Sequence, residues 1–303
     1  MFVTGLIHNK KLIDAISDQF QLHPCYIQSN YYPDGEPLFH FDQSIQNQKL
    51  LLIFDLYPHT SQKCFELLCL LNFAKQANCE IVLFSPYFPY LRESKKSPLQ
   101  VSNINGFLQH LNFCNVKKII TIDPHNSAFF KNQNFDFINI NPAPYFIQYF
   151  LSQYQTTPIL VAPDAGSHQQ ILALSEQKHL SYILCEKHKS IKSMHIVQSY
   201  LYDHHPHKNY LILDDICDTA ETLLLTQNLL NQFNPDSIHI WATHGLFTNK
   251  KNCTELLNNL PGILYSSNTV ERQISHPKIK EFLINDIIID TLSIMMLSRD
   301  TSG

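Results

Sequence analysis

Short apolar runs alternate along the chain with segments of helical length, and no other feature constrains the fold as much. The runs are continuous rather than alternating, which is typical of strands that are covered on both faces. They are Phe2–Leu6, Leu50–Asp55, Ile81–Phe84, Ile119–Ile122, Ile159–Ala162, Tyr182–Cys185, Tyr210–Asp214, Ile238–Ala242 and Ile263–Tyr265. The helical segments are Ser61–Gln76, Val101–Leu111, Ala143–Tyr154, Gln169–Lys178 and Thr219–Phe233. This order predicts parallel sheets joined by βαβ crossovers.

The alternation runs twice, which predicts two α/β domains. A chain of 303 residues is long enough for them, since a domain takes about 100–200 residues. The first half ends near Asn141-Pro142, and the second begins with the helix from Ala143. We therefore expect one domain over residues 1–142, a second over 143–285, and a C-terminal segment, 286–303, that could return to the first domain.

Composition and charge exclude several classes of protein. Hydrophobic residues make up 44% of the chain and charged residues 16%, which supports packed cores rather than disorder. The formal net charge of −4 predicts no nucleic-acid partner. No apolar run approaches the ~18 residues of a membrane helix, and Met1–Lys11 lacks the pattern of a secretory signal. We expect a cytoplasmic protein that does not associate with membranes.

The chain contains 8 Cys and 16 His, and neither set forms a clear site. No C-x-x-C pair is present and most cysteines lie in apolar runs, which predicts reduced, buried thiols, Cys217 included. His204, His205 and His207 surround Pro206, a pattern that indicates a surface turn. The same three imidazoles could also bind a metal, and the sequence leaves both interpretations open.

The strongest candidate site is the segment that follows the apolar run at Leu211. That run ends in Asp214 and Asp215, and Asp218 and Thr219 follow before a helix. Ligands of parallel sheets bind beyond the carboxyl ends of strands, and paired carboxylates can hold ribose hydroxyls or Mg²⁺. G-x-G-x-x-G and P-loop motifs are absent, so a helix start such as this one would have to bind any phosphate. The alternative is an ordinary capping box, with Asp218 as N-cap and Glu221 in the first turn.

This segment resembles the ribose 5-phosphate loop of phosphoribosyltransferases, and most closely that of the ribose-phosphate pyrophosphokinases, or PRPP synthetases. Their motif is D-D-x-x-D-T-G-G-T; here Ala220 and Glu221 replace the two glycines. Other family elements follow in order over about residues 1–290: Tyr32-Pro33-Asp34-Gly35-Glu36, Tyr57-Pro58-His59, Pro86–Arg92, Asp123-Pro124-His125, Pro163-Asp164-Ala165-Gly166, Glu186-Lys187-His188-Lys189 and Thr243-His244-Gly245.

The resemblance implies two phosphoribosyltransferase-like domains, each with a mostly parallel sheet flanked by helices. It also implies an enzyme of nucleotide biosynthesis that forms homo-oligomers. With Mg²⁺ as cofactor, such enzymes transfer the β,γ-diphosphate of ATP to the C1 hydroxyl of ribose 5-phosphate, which yields 5-phosphoribosyl 1-diphosphate and AMP. The reaction requires in-line positioning and neutralisation of phosphate charge rather than covalent help from the protein.

The resemblance also implies a role for each matching residue. The expected catalytic residues are Lys187, Lys189 and Arg92. ATP would contact Tyr32, Asp34, Glu36, Arg92 and His125, and the metal would contact His125 and Asp164. The ribose phosphate would be held by Asp214, Asp215, Asp218, Thr219, Ala220 and Thr222.

Four departures from the family pattern are present, and the first leaves the acceptor open. Ala220-Glu221 replaces Gly-Gly, Glu93-Ser94 replaces Gln-Asp after Arg92, Ser167 replaces a glycine, and Ser44-Ile45-Gln46-Asn47 stands where the family commonly has an Arg near a regulatory phosphate site. The fourth departure predicts that the usual regulation by ADP and phosphate is absent. A carboxylate at Glu221 would repel a phosphate if it pointed inward, whereas an outward cap would not. Three functions therefore stand: transfer to ribose 5-phosphate, transfer to a substituted ribose 5-phosphate such as ADP-ribose, and a catalytically silent regulatory paralogue.

Overall fold

The structure, a computed structural model, describes residues 1–93, 97, 99–154, 156–188, 193–200 and 208–297. It divides into two compact units. The first comprises Met1–Ile140 together with the C-terminal segment from Asn285, and the second comprises Asn141–Ile284. Each unit contains one seven-stranded sheet. The predicted α/β fold with two mostly parallel sheets is confirmed.

Strands and helices alternate along much of each unit, as predicted, but several strands also follow one another without a helix between them. The first unit begins with β1 (Phe2–Leu6), α1 (Lys10–Phe20), β2 (His23–Tyr31), β3 (Pro37–Phe41), β4 (Lys49–Ile53), α2 (Thr60–Gln76), β5 (Glu80–Ser85), α3 (Asn103–Phe113), β6 (Val116–Ile122) and β7 (Asp136–Ile140). The second contains α4 (Ala143–Tyr154), β8 (Ile159–Ala162), α5 (His168–Lys178), β9 (Tyr182–His188), β10 (Ser193–Tyr200), β11 (Asn209–Cys217), α6 (Glu221–Asn231), β12 (Ser237–Gly245), α7 (Lys250–Asn259), β13 (Leu264–Ser267) and β14 (Ile279–Phe282). The last helix, α8 (Asn285–Leu297), packs against α1 and β7 of the first unit.

The sheet of the first unit has the strand order β3-β2-β1-β4-β5-β6-β7. Only β3 runs antiparallel to its neighbour, and the other pairings are parallel. Its central strands are apolar and buried on both faces, because α2 and α3 cover one face and α1 packs on β1. The carboxyl ends of six parallel strands therefore meet at one edge.

The sheet of the second unit has the same arrangement, in the order β10-β9-β8-β11-β12-β13-β14. Here β10 is the antiparallel edge strand, and the remaining pairings are parallel. A cluster of aromatic side chains covers one face, where Phe146 of α4 stacks on Trp241 of β12 at 4.3 Å between ring centroids. The other face packs on α6 and α7. Again, one edge collects the carboxyl ends of the parallel strands.

The apolar runs identified most of the central strands, but five strands and three helices were not predicted. The strands are β2, β3, β7, β10 and β14; the helices are α1, α7 and α8. Four of these strands lie at sheet edges, where one flank is exposed and a continuous apolar run is not needed. Two predicted helices begin later: the one from Val101 begins at Asn103, and the one from Thr219 begins at Glu221. Among the described residues, no helix is long and apolar enough to cross a membrane.

Candidate active site

In the first unit, the predicted ATP-binding residues Tyr32, Asp34 and Glu36 lie on the tight connection between β2 and β3. The Tyr32 N–H donates to the Glu36 carbonyl (2.9 Å) and the Gly35 N–H to the Tyr32 carbonyl (2.8 Å). Gly35 has φ +92°, a conformation that side chains rarely adopt. The Asp34 carboxylate accepts from the Glu36 N–H (3.1 Å). The hairpin thus presents three exposed side chains at the carboxyl end of β2.

Arg92 and His125 of the first unit also follow carboxyl ends of parallel strands, those of β5 and β6. Both side chains are exposed. Leu91 is buried and anchors the segment beside Arg92. The Glu93 carboxylate accepts from the N–H groups of Asn103 (3.0 Å) and Ile104 (3.4 Å), and so caps the start of α3. The departure from the family at Glu93 therefore has a structural role in fixing the segment that carries Arg92.

In the second unit, three carboxylates meet at the ends of the neighbouring strands β8 and β11. Asp164 follows β8, and its Oδ1 accepts from the Gly166 N–H (2.9 Å). Asp214 lies in β11 beside Asp215, whose N–H donates to the Asp214 carboxylate (3.1 Å). Burial, together with the charges of Asp215 and Asp164, raises the pKa of Asp214 well above its usual value. The elevated pKa indicates concentrated negative charge at this edge, as expected where cations or hydroxyl groups bind.

The loop from Asp218 to Thr222 is fixed by contacts with the segment after β12. The Thr248 N–H donates to the Asp218 carbonyl (3.1 Å), and the Thr248 hydroxyl donates to the Asp218 carboxylate. The N-cap of α6 is Ala220, with φ 60° and ψ 7° and no side-chain capping bond. The capping box with Asp218 as N-cap is therefore wrong, because Asp218 is engaged by Thr248 and lies two residues too early. Thr219 is exposed, whereas Thr222 is half-buried in the first turn of α6.

The predicted catalytic Lys187 forms an ion pair with Glu221, the residue that replaces a family glycine. Lys187 lies near the carboxyl end of β9, and its Nζ is 2.9 Å from Glu221 Oε1 in the first turn of α6. The side chains are 38% and 48% exposed, respectively. The sequence suggested either an inward carboxylate that repels phosphate or an outward cap, and neither possibility included this ion pair.

The third departure from the family pattern has little conformational consequence. Ser167 is the N-cap of α5 with φ −89° and ψ −8°, which any residue adopts, so a glycine is not required there. Its hydroxyl donates to the Asp164 carbonyl (2.9 Å). Ser167 therefore supports the turn that holds Asp164.

The cysteines are all free thiols, and seven of the eight are buried, with Cys69 exposed. The buried thiols of Cys217 and Cys253 lie in hydrogen-bond contact beside the Asp218 loop. Cys217 packs in the core below the loop, as expected for a structural thiol. Lys189 and the histidine cluster His204, His205 and His207 lie outside the described residues, so the predictions for them stay predictions.

The donor chemistry at this edge fits Mg²⁺. Asp164, Asp214 and Asp215 offer only oxygen donors. In the part of the chain that the structure describes, no three His, Cys, Asp or Glu side chains are grouped so that they could hold a metal ion by themselves. Mg²⁺ usually binds through one or two carboxylates together with substrate phosphates. Carboxylates at strand ends that leave room for phosphate oxygens are therefore the kind of site that Mg²⁺ uses.

The sequence did not predict two features, one in each unit. The first is the Lys187–Glu221 pair, which joins residues that are 34 positions apart; only their placement on neighbouring elements reveals it. The second is Asp55, after β4, whose carboxylate accepts from Asn9 Nδ2 (2.8 Å) and lies 2.9 Å from His8 Nε2. Asp55 ends a predicted strand, which is the signal that could have found it.

Comparison with known proteins agrees with this architecture. Residues 1–110 match the model of the N-terminal domain of ribose phosphate pyrophosphokinase. The ribose-phosphate pyrophosphokinase of Mycoplasma genitalium is 23% identical, with 94% of this chain and 87% of the relative covered. That of Sulfurisphaera tokodaii is 24% identical, with 91% and 95% covered.

A solved structure shares the fold over its full length. The phosphoribosylpyrophosphate synthetase from Mycobacterium smegmatis superposes with a TM-score of 0.85 at 18% identity, covering 98% of this chain and 99% of that one. Relatives that match from end to end, a family model on the first unit and the shared two-sheet fold agree on one assignment. Over nearly its whole length the chain is similar to ribose-phosphate pyrophosphokinases, which are enzymes, and its residues 1–110 match the model of their N-terminal domain.

Proposed function

We propose that the protein is a Mg²⁺-dependent ribose-phosphate pyrophosphokinase that transfers the β,γ-diphosphate of ATP to the C1 hydroxyl of ribose 5-phosphate. The products are 5-phosphoribosyl 1-diphosphate and AMP. The C1 oxygen forms a bond to the β-phosphorus, and the bond from that phosphorus to the α,β-bridging oxygen breaks. AMP leaves with that oxygen, and the hydroxyl proton passes to solvent.

One observation carries this proposal: a lysine and three carboxylates lie at the ends of three adjacent strands. Lys187 is on β9, Asp164 follows β8, and Asp214 and Asp215 are on β11, in the sheet order β9-β8-β11. Strand order reverses at this point, and ligands of open parallel sheets bind at such a switch. A cation for phosphate oxygens and acceptors for sugar hydroxyls are thus available at one edge.

Each residue of the second unit has a role that its surroundings support. Lys187 would contact the transferring phosphate oxygens as a point charge. Asp214 and Asp215 would accept hydrogen bonds from the two ribose hydroxyls and so orient C1. The loop from Asp218 to Thr222 would place hydroxyl and N–H groups around the 5-phosphate at the start of α6, where an anion is favoured.

The residues of the first unit would bind the donor. Tyr32, Asp34 and Glu36 would contact the adenosine part of ATP, and Arg92 would contact its phosphates and help to exclude water. His125 would be a magnesium ligand in the first unit, as Asp164 would be in the second, and magnesium would neutralise phosphate charge. By analogy with the family, we expect a homo-oligomer that acts in the cytoplasm in nucleotide biosynthesis.

The decisive experiment measures AMP release from Mg-ATP by the purified protein, with ribose 5-phosphate and ADP-ribose as parallel acceptors. We expect AMP to form with ribose 5-phosphate, together with an equal amount of 5-phosphoribosyl 1-diphosphate. If AMP forms with ADP-ribose alone, ADP-ribose and not ribose 5-phosphate is the acceptor. ATP binding without AMP from either acceptor would contradict the proposal and favour a catalytically silent paralogue.

A further inference from the structure

The two replaced glycines of the phosphate loop have separable consequences. Ala220 keeps the left-handed backbone, with φ 60°, that glycine adopts most easily. The path of the main chain through the loop is therefore compatible with the family motif. Glu221, in contrast, introduces a carboxylate where glycine has no side chain. Of the two changes, only the one at Glu221 alters the charge of the site.

The carboxylate of Glu221 interacts with two features that attract anions. It is paired with Lys187 at 2.9 Å, and it occupies the first residue of α6, where the helix dipole favours negative charge. A phosphate at the loop would use the same helix start. The pair has no net charge, so a lysine that would otherwise attract a phosphate is already neutralised.

We propose that Glu221 is a specificity-determining residue that selects the acceptor by the charge on its 5-phosphate, an inference that rests on the proposed function. A phosphate monoester is close to a dianion above its second pKa of about 6, whereas a diester carries one charge. Repulsion from Glu221 grows with the charge of the ligand. Glu221 therefore penalises the dianion more than the monoanion, and so narrows the preference of the site for ribose 5-phosphate over a ribose whose 5-phosphate is substituted, the class to which nucleoside diphosphate riboses belong.

The partial exposure of the pair supports a role in selection rather than in folding. Both side chains are more than a third exposed, and exposed ion pairs contribute little to stability. A ligand can therefore reach the pair and displace it, while the carboxylate remains on the first turn of α6. The strength of the repulsion from Glu221 therefore depends on the charge of the ligand.

Two variants with the same loss of charge test this role. Glu221→Gln removes the carboxylate but keeps the size of the side chain. Glu186→Gln removes a carboxylate beside Lys187 on β9, and adjacent strand residues point to opposite faces. Kinetics at pH 8 would compare ribose 5-phosphate with its methyl phosphodiester. In Glu221→Gln, the ratio of kcat/KM for the monoester to that for the diester should rise about tenfold, or about 1.4 kcal/mol. Glu186→Gln should keep the wild-type ratio.

The ratio distinguishes selection from a structural role, which would change both acceptors equally. An unchanged ratio in Glu221→Gln, or the same rise in Glu186→Gln, would overturn the inference. Calorimetric binding of the two acceptors without ATP separates this result from the proposed function. If neither the wild type nor the two variants release AMP, but the ratio of the affinities for the two acceptors shifts in Glu221→Gln alone, diphosphate transfer is wrong and the selection by Glu221 stands. Failure of both acceptors to bind would contradict both proposals.

Discussion

His59 and Ala220 occupy the same place in their respective units, directly before the helix that follows the fourth strand of the sheet. Both are left-handed: His59 has φ 62° and precedes α2 after β4, and Ala220 has φ 60° and precedes α6 after β11. The turn thus occurs twice, with different residues and none of them glycine. We infer that the conformation is a requirement of the strand-to-helix connection in this fold, and that Ala220 adopts it at a cost.

Ala220→Gly should stabilise the protein, because it relieves the left-handed strain of an L-residue, which amounts to about 1 kcal/mol or more. Glycine also increases the freedom of the unfolded chain, which returns about 0.5 kcal/mol. We expect a net rise of about 0.5 kcal/mol in the free energy of unfolding, measured by chemical denaturation. The control is Ala74→Gly, at a buried position inside α2, which should lose about 1 kcal/mol. A change of the free energy of unfolding in the same direction in both variants would contradict the strain at Ala220.

The sequence predicted the central strands because these depend on local apolar runs, whereas the candidate site residues rest on the family resemblance and stay predictions. Apolar runs such as that of β4 are buried on both faces, and Asp214 directly extends such a run. Edge strands escaped prediction: β10 is mostly exposed along its second half and has no continuous apolar run. The ion pair of Lys187 with Glu221 escaped for another reason, since it depends on how β9 and α6 pack rather than on either segment alone.

Asp214→Asn should increase stability while it reduces activity. Burial and the charges of Asp215 and Asp164 raise the pKa of Asp214, so its ionised form opposes folding at neutral pH. Between the pKa of Asp214 in the unfolded chain and its raised pKa in the folded protein, the folded state binds more protons. Stability therefore falls as pH rises through this range. Removal of the charge should raise the free energy of unfolding at pH 7.

The matched control for Asp214 is Asp18→Asn, at an exposed carboxylate of α1. It should leave both stability and AMP release close to wild type. A loss of stability in Asp214→Asn would show that the carboxylate is better satisfied than its neighbours Asp215 and Asp164 suggest.

His239 should make the protein sensitive to mild acid. Burial and the nearby Lys280 lower the pKa of His239 to about 4, and its Nδ1 accepts from the Ile263 N–H (3.2 Å). Between the unfolded value of about 6.5 and about 4, the unfolded state binds more protons, so stability falls as pH falls through this range. The full effect approaches about 3 kcal/mol.

The measurement is the free energy of unfolding from pH 7.5 to pH 4.5 in wild type and in His239→Asn, whose side-chain oxygen can still accept from Ile263. We expect a smaller loss of stability on acidification in the variant. His23→Asn, at an exposed histidine, should keep the wild-type slope. Identical slopes in all three proteins would rule out a contribution from His239.

Lys187→Ala should lower turnover by orders of magnitude without unfolding the protein. The proposed contact of Lys187 with the transferring phosphate stabilises charge in the transition state, and removal of such a group lowers kcat by about 10²–10³. The pair with Glu221 is exposed, so its loss should change the free energy of unfolding by about 1 kcal/mol or less. Lys250→Ala, at an exposed lysine that begins α7, is the control and should retain full AMP release. Normal turnover by Lys187→Ala would show that Lys187 is not a catalytic residue. It would also weaken the proposed role of Glu221, which is argued from its pair with Lys187.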